Sequence, residues 1–131
     1  MRPKDVGWVD YLGWLFISTH GRIPRSVYWA AKLGLLFTLI VFVAVAAAME
    51  GTNSRGDSGW LWLPLILYVF AIVSVAIKRL HDQDMSGGWV LACFVPYLGE
   101  LFSLIVLGCR KGTEGSNDYG PDPLEPEEAE T

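Results

Sequence analysis

Apolar residues are concentrated in two uninterrupted runs, one in the first half of the chain and one in its middle. No charged side chain occurs from Leu33 to Met49 or from Trp60 to Ile77. Each run is close to the roughly 17–25 residues that a helix needs to cross a bilayer core, and neither alternates with the period of two that barrel strands require. The pattern predicts two membrane-spanning helices, at about 26–49 and 60–77.

A third apolar segment, at about 89–107, is irregular because Pro96, Gly99 and Glu100 interrupt its middle. Proline removes a backbone donor and crowds the preceding turn, so the segment is predicted to be kinked or re-entrant. Each half of a re-entrant path would penetrate only about half of the bilayer at about 1.5 Å per residue, which favours a kinked full crossing. We therefore expect an all-α integral membrane protein with about three transmembrane helices.

The residues between 6 and 19 repeat their apolar positions with helical i, i+3, i+4 spacing, in a stretch too short to cross a membrane. We expect this N-terminal segment to form an amphipathic helix that lies in the membrane interface. The residues that define its apolar face are Trp8, Tyr11, Leu12, Leu15 and Phe16.

Composition and charge indicate three parts: a cytoplasmic, interfacial segment at 1–25, a membrane domain at 26–108 and a polar tail at 109–131. The hydrophobic content of 52% is too high for a disordered or ordinary soluble chain. Half of the acidic residues fall within the last eighteen positions. An acidic, proline-containing stretch without apolar periodicity is typically solvated, so the tail is predicted to be flexible.

Basic residues near the predicted spans indicate the orientation. At least four precede the first span, the Glu50–Gly59 loop holds only Arg55, and the second span ends at Lys78 and Arg79. Because Lys and Arg favour the cytoplasmic side, the N-terminus and the 78–88 loop are predicted to be cytoplasmic. A third full crossing would place Arg110 and Lys111 outside, against the same rule.

Several charged residues, far apart in sequence, belong to this predicted cytoplasmic face and form a candidate contact site. Guanidinium groups offer bidentate donors to phosphate, and anionic lipid headgroups lie at that depth. The alternative is that each basic residue only sets the orientation of the chain. The basic members of the candidate site are Arg22, Arg25, Lys78, Arg79 and His81, with Asp82 beside them.

Glu100 is the one carboxylate embedded in apolar sequence, and an ionisable residue at membrane depth is a functional hypothesis by default. It could carry protons or bind a cation, or it could sit hydrated at the break that Pro96 and Gly99 make. Lys32, near the start of the first predicted helix, is expected to extend its ammonium group towards the interface.

No hydrolase, phosphate-loop, zinc-protease or dinucleotide motif is present, so we expect no enzymatic activity and no cofactor. His81 and Asp82 lack further ligands at metal spacing, and Cys93 and Cys109 lack the paired spacing of a zinc site, so no metal is expected. We expect membrane lipid, and either a protein partner or further copies of the chain, but no nucleic acid, as partners.

Short polar motifs, spread over about residues 14–123, give the chain a resemblance to the YhaH/YhaI type of small bacterial inner-membrane proteins. The resemblance implies a multi-pass protein of the bacterial inner membrane, in a family whose members have no established activity. The motifs are Gly21-Arg22-Ile23-Pro24-Arg25 with Tyr28-Trp29; Lys78-Arg79-Leu80-His81-Asp82 with Ser86-Gly87 and Trp89; Pro96 with Gly99; and Gly112-Thr113, Gly115, Asn117 and Tyr119-Gly120-Pro121-Asp122-Pro123.

The chain departs from the family pattern at Lys78, where Arg is usual, and after Gly87, where Gly88 and Val90 flank a single Trp89. Lysine keeps the charge but loses the bidentate geometry, which argues against a strict phosphate clamp at that position.

The family motifs also predict one polar site: if the 112–123 segment returns to the cytoplasmic side, Asn117 and Asp122 could meet Arg22, Arg25 and Arg79. Our first hypothesis is therefore a non-enzymatic membrane protein that contacts a partner protein or anionic headgroups through this site. The second is a small oligomeric transporter or channel that uses Glu100 and the Pro96 break. The third, an enzyme acting on lipid with His81 as base, lacks a nucleophile or a metal set.

Overall fold

The structure is a computed structural model that describes residues 7–50 and 59–125. Every regular element in these two ranges is helical, apart from one isolated bridge between Asn117 and Gly120, so the all-α prediction is confirmed. The predictions for residues 1–6, for the 51–58 part of the loop and for the 126–131 part of the tail lie outside the described residues. The α-helices are α1 (Trp8–Ile17), α2 (Arg25–Glu50), α3 (Trp62–Asp82) and α4 (Leu98–Phe102).

Two helices, α2 and α3, are long and apolar enough to cross a membrane, over Arg25–Met49 and Trp62–Asp82. They pack against each other, and a short 3-10 helix at Gly59–Leu61 leads into α3. The first agrees with the predicted 26–49. The second continues beyond the predicted end at 77 through the charged residues that follow, because those side chains find partners within the protein.

The third apolar segment is a hairpin, not one kinked helix, and we call residues 87–109 the hairpin below. A 3-10 helix (Gly87–Phe94) runs in, and α4 runs back and continues as a π-helix (Ser103–Cys109). Tyr97 turns the chain with φ of 63°, and Gly99 lies so close to the Cys93 carbonyl that a Cβ would overlap it.

Both ends of the hairpin lie beside the C-terminal end of α3. Gly87 lies against Ile77 and His81 at the start of the hairpin, and the Gln83 side chain donates to the Val106 carbonyl near its end. The segment therefore folds back near Pro96–Gly99, as in the alternative path, and does not continue as the single kinked helix that was favoured; the number of membrane crossings stays a prediction. Proline and glycine interrupt the helix at this point, which permits the chain to reverse. Polar side chains on α3 then hydrogen-bond the carbonyls of the returning backbone.

Helix α1 lies along α3 and contributes Leu15 to the core. Trp8 and Leu12, two of the predicted apolar positions, are exposed, so a strip of apolar surface remains on the outside of α1. The core is centred on the second half of α3, between α1, the start of α2 and the end of the hairpin. Its buried members are Leu15, Ile23, Tyr28, Ala31, Val75, Ala76, Leu80, Val90 and Leu107.

Candidate functional site

The charged residues at the end of α3 form a buried cluster with the turn that precedes α2. The Asp82 carboxylate accepts a hydrogen bond from Arg22 Nε at 3.2 Å, and its other oxygen pairs with the Arg79 guanidinium. The side chains of Arg22 and Arg79 are 1% and 0% exposed, and that of Asp82 is 5% exposed. Buried charges need such partners because an isolated one is costly. We call these three residues the arginine cluster.

The Arg79 guanidinium also holds three backbone carbonyls. It donates to Leu107 at 2.8 Å, to Arg110 at 2.5 Å and to Ile23 at 3.4 Å. Leu107 lies in the last turn of the π-helix, where carbonyls have no partner within the helix. Arg79 therefore caps the end of the hairpin and joins it to the turn before α2.

Arg22 does the same for the segment that follows the hairpin, residues 110–125, which we call the C-terminal loop. It donates to the Thr113 carbonyl at 2.7 Å and to the carbonyls of Gly115 and Gly120 at 2.7 and 3.1 Å. Both glycines have left-handed backbone, with φ of 75° and 133°, which turns the chain around the guanidinium group. All three guanidinium nitrogens of Arg22 thus have partners within the chain.

Gly112 and Thr113 bring the C-terminal loop against the last residue of α3. The Thr113 backbone N–H donates to the Asp82 carbonyl at 2.8 Å, and its hydroxyl donates to the same oxygen at 3.0 Å. A Cβ at Gly112 would overlap the Asp82 carboxylate. Glycine is required here because the backbone passes directly over the buried ion pair.

The remaining predicted residues of this region also act inside the protein. Asn117 Nδ2 donates to the His81 carbonyl at 2.8 Å, and the His81 ring stacks on Tyr119 with 3.9 Å between centroids. The Asp122 carboxylate accepts from the Gly115 backbone N–H at 3.0 Å. Residues 110–125 therefore fold back against the end of α3, and the flexibility of the acidic tail stays a prediction.

Lys78 belongs to a neighbouring contact. Its buried ammonium group donates to the carbonyls of Trp14 and Leu15 at 2.7 and 2.6 Å. These carbonyls lie in the last turn of α1, which leaves them without helical partners and favours a nearby cation. Lys78 therefore fastens α1 to α3.

Three basic residues on the same end of the molecule remain exposed. The Arg25 guanidinium makes one long hydrogen bond, at 3.3 Å, to the Cys109 carbonyl. Arg110 follows directly and contacts the Met85 sulfur at 3.4 Å. Lys111 pairs with Glu114 and thereby lowers the pKa of that carboxyl. From the sequence, Arg110 was considered only for its effect on membrane orientation. Its position directly after a helix end is, however, typical of a residue that anchors a helix at the membrane interface.

Glu100 is paired with Lys32, a contact that the sequence did not predict. Lys32 Nζ donates to Glu100 Oε1 at 3.1 Å and to Ser103 Oγ at 2.8 Å, and Ser103 Oγ also bonds the Tyr28 hydroxyl at 2.8 Å. Lys32 therefore turns to the hairpin for its partners. Helical spacing cannot indicate a pair whose members lie 68 residues apart.

Of the predicted contact set, the fold brings most members to one end of the molecule but turns their polar groups inwards. Among residues 7–50 and 59–125, no group of three or more His, Cys, Asp or Glu side chains could hold a metal ion. The members whose polar groups are engaged internally are Arg22, Lys78, Arg79, Asp82, Asn117 and Asp122.

These features define a small helical membrane protein, in which two long apolar helices and a hairpin are joined by a buried arginine cluster at one end. The chain belongs to the family described as "Protein of unknown function (DUF805)", whose model matches residues 16–121. The match contains the arginine cluster and most of the C-terminal loop. It confirms the family to which the polar motifs of the sequence pointed.

Relatives in Escherichia coli strain K12 support the same placement. The chain is 40% identical to the inner membrane protein YhaI over 114 residues, which is 82% of this chain and 87% of that one. It is 36% identical to the inner membrane protein YhaH over 114 residues, with 85% and 92% coverage. The names of these relatives support an inner-membrane location. No solved structure matches the chain.

Proposed function

We propose that the protein is a non-enzymatic inner-membrane protein whose cytoplasmic face binds the phosphate of anionic lipid headgroups through Arg25 and Arg110. The observation that carries the proposal is the division of the basic residues into two sets. Arg22, Lys78 and Arg79 are buried and hydrogen-bonded within the chain, whereas Arg25 and Arg110 are exposed at the same end of the molecule. The buried set supports the site, and the exposed set makes the contact.

The electrostatics of this face favour phosphate. The carbonyl of Cys109, which accepts from Arg25, belongs to the residue directly before Arg110, so the Arg25 guanidinium lies beside the backbone from which the Arg110 side chain extends. Each has donors left for a ligand, because each makes one long contact with the described part of the chain. Guanidinium groups bind phosphate with paired hydrogen bonds, and anionic headgroups lie at the level where membrane helices end. Lys111 is less available because Glu114 pairs with it.

We further propose that the chain crosses the membrane twice, with the N-terminus, the hairpin ends and the C-terminal loop in the cytoplasm. What supports this topology is that the return of the hairpin puts Arg110 and Lys111 on the same side as Arg25. A third crossing would have put those two residues outside, against the preference of basic residues for the cytoplasm. With the reversal, the charge rule is satisfied at every described helix end.

The proposal is tested by measuring which lipids stay bound after extraction in a mild detergent. Native mass spectrometry of the wild-type chain from its own membrane should detect phosphatidylglycerol or cardiolipin in preference to phosphatidylethanolamine. Each basic residue near an anionic surface contributes about 1 kcal/mol. We therefore expect Arg25→Gln and Arg110→Gln each to reduce anionic lipid retention about fivefold, and the double variant about thirtyfold.

Arg55→Gln is the matched control, since it removes one arginine from the loop that the sequence assigns to the opposite side. Equal lipid retention in all these variants would contradict the proposal. A stoichiometric protein that stays bound, and is lost with the double variant, would assign the face to a protein partner.

The second candidate is transport through an oligomer at Glu100, and the observation that favours it is the exposure of this carboxylate beside the hairpin tip. Proton or cation flux into vesicles, lost on Glu100→Gln, is the expected result. Absence of flux with the wild-type chain would remove this candidate without affecting the lipid proposal.

A further inference from the structure

The ion pair between Lys32 and Glu100 lies on an outward surface of the membrane domain, away from the proposed lipid site. The Glu100 side chain remains 77% exposed and that of Lys32 remains 31% exposed, although Nζ and Oε1 are 3.1 Å apart. Lys32 divides its donors between this carboxylate and the Ser103 hydroxyl. Most of the Glu100 carboxylate is therefore uncovered by its own chain.

The surroundings of this pair are apolar. Lys32 lies seven residues after Arg25 along α2, or about 10 Å towards the other end of the helix. Hydrocarbon disfavours a charged group at such a depth unless another polar group covers it. We call the surface around the pair the Glu100 face. The exposed residues on the same helix and turn as Glu100 are Tyr97, Leu98, Leu101 and Leu104.

We infer that a second copy of this chain covers the Glu100 face. The face carries one ammonium and one carboxylate, so it is complementary in charge to itself. A two-fold axis through it brings Lys32 of each copy to Glu100 of the other, which is the arrangement of an isologous dimer. Polar contacts between helices, surrounded by well-packed apolar side chains, favour association within membranes. The dimer covers both carboxylates without any further ligand.

A zwitterionic lipid headgroup also carries both charges, but it fits the depth less well. Headgroups lie outside the hydrocarbon core, whereas this pair lies about two helical turns beyond the basic end of α2. The exposed leucines beside Glu100 also suit an apolar protein surface. The observations therefore favour a second copy over a lipid.

Two charge-reversed chains test the inference. Lys32→Glu leaves the face with two carboxylates, and Glu100→Lys leaves it with two ammonium groups. Each variant alone repels its own copy, and we expect its dimerisation constant in bilayers to fall about tenfold or more. Mixed together, the two variants present opposite charges to each other, so chains with different fluorophores should pair again. If Lys32 and Glu100 pair only within one chain, we expect no such rescue, because the salt bridge stays broken inside each variant chain.

Two-colour single-molecule photobleaching of the full chain in lipid bilayers gives the readout. Wild-type chains should bleach in two steps, and the mixed variants should co-localise far more often than either variant does with itself. If a charge-reversed chain does not insert into the membrane, the neutral double variant Lys32→Met/Glu100→Gln replaces it in the test. Its dimerisation constant should also fall about tenfold. Single wild-type chains, variants that fail to pair on mixing, or a monomer that retains phosphatidylethanolamine at this face would overturn the inference.

Discussion

Replacing Asp82 with asparagine tests whether the arginine cluster holds the hairpin and the C-terminal loop in place. The change keeps the size of the side chain but removes the negative charge between Arg22 and Arg79. Both guanidinium groups are buried and remain charged, and their carbonyl partners supply hydrogen bonds without neutralising them. We therefore expect a large loss of stability from a substitution that changes almost no volume.

The size of the expected loss of stability follows from the burial of the arginine cluster. Removing one partner from a buried ion pair typically costs about 3–5 kcal/mol, because the remaining charge is left without compensation. The asparagine amide oxygen can still accept from one of the two arginines, so the lower end, about 3 kcal/mol, applies to Asp82→Asn. At about 1.36 kcal/mol for each factor of ten, the open state of the C-terminal loop becomes roughly 10²-fold more populated.

Limited proteolysis in a mild detergent measures this opening. Trypsin cuts after Arg110 and Lys111, at the start of the C-terminal loop, and the cutting rate follows the open population when reclosing is fast. The rate should rise roughly 10²-fold in Asp82→Asn. Asp84→Asn is the matched control, because Asp84 is exposed and its φ of 57° suits asparagine. Cleavage of both variants at the wild-type rate would refute the structural role of the cluster.

Three further substitutions probe close contacts of the hairpin, the C-terminal loop and α1. Gly112→Ala places a methyl group on the buried carboxylate and should also release the C-terminal loop to trypsin, whereas Gly34→Ala on α2, with open space around it, should not. A Cβ at Gly108 would approach the Trp29 ring to 2.7 Å, so in Gly108→Ala the tryptophan emission should shift to the red, relative to the wild-type chain, as that ring is displaced. Lys78→Met keeps the buried stem but leaves two carbonyls of α1 unpaired, so amide hydrogen exchange should rise about tenfold in α1 and stay unchanged in α2.

The sequence predicted the two long apolar helices well because their signal is local. Long uncharged runs identify α2 and α3. Both ends of α2 lie within a residue or two of the predicted bounds. The end of α3 was missed because charged residues such as Arg79 usually mark the end of a membrane helix. Whether such a side chain points to water or to a backbone carbonyl depends on contacts that only the folded chain supplies.

The sequence indicated the region of the arginine cluster but not the direction in which its side chains point. The family motifs predicted that Asn117 and Asp122 could lie near Arg22, Arg25 and Arg79, and the fold does bring the C-terminal loop around the Arg22 guanidinium. Their partners, however, are mostly carbonyl oxygens, and every residue has one, so no sequence pattern marks the carbonyl of Thr113 or Leu107 as an acceptor. The hairpin was similarly ambiguous, because Pro96 permits either a kink or a reversal.

The concentration of buried charge at one end of this protein has a physical reason in its small size and its solvent. Lipid provides no hydrophobic force that drives helices together, so two helices and a hairpin must be held by packing and by polar contacts. Helix α2 has little of its surface covered by the rest of the chain. The arginine cluster supplies what packing cannot, because Arg22 and Arg79 satisfy backbone carbonyls from three separate segments at once. Removing the cluster should therefore separate the hairpin and the C-terminal loop from helices that stay inserted in the membrane.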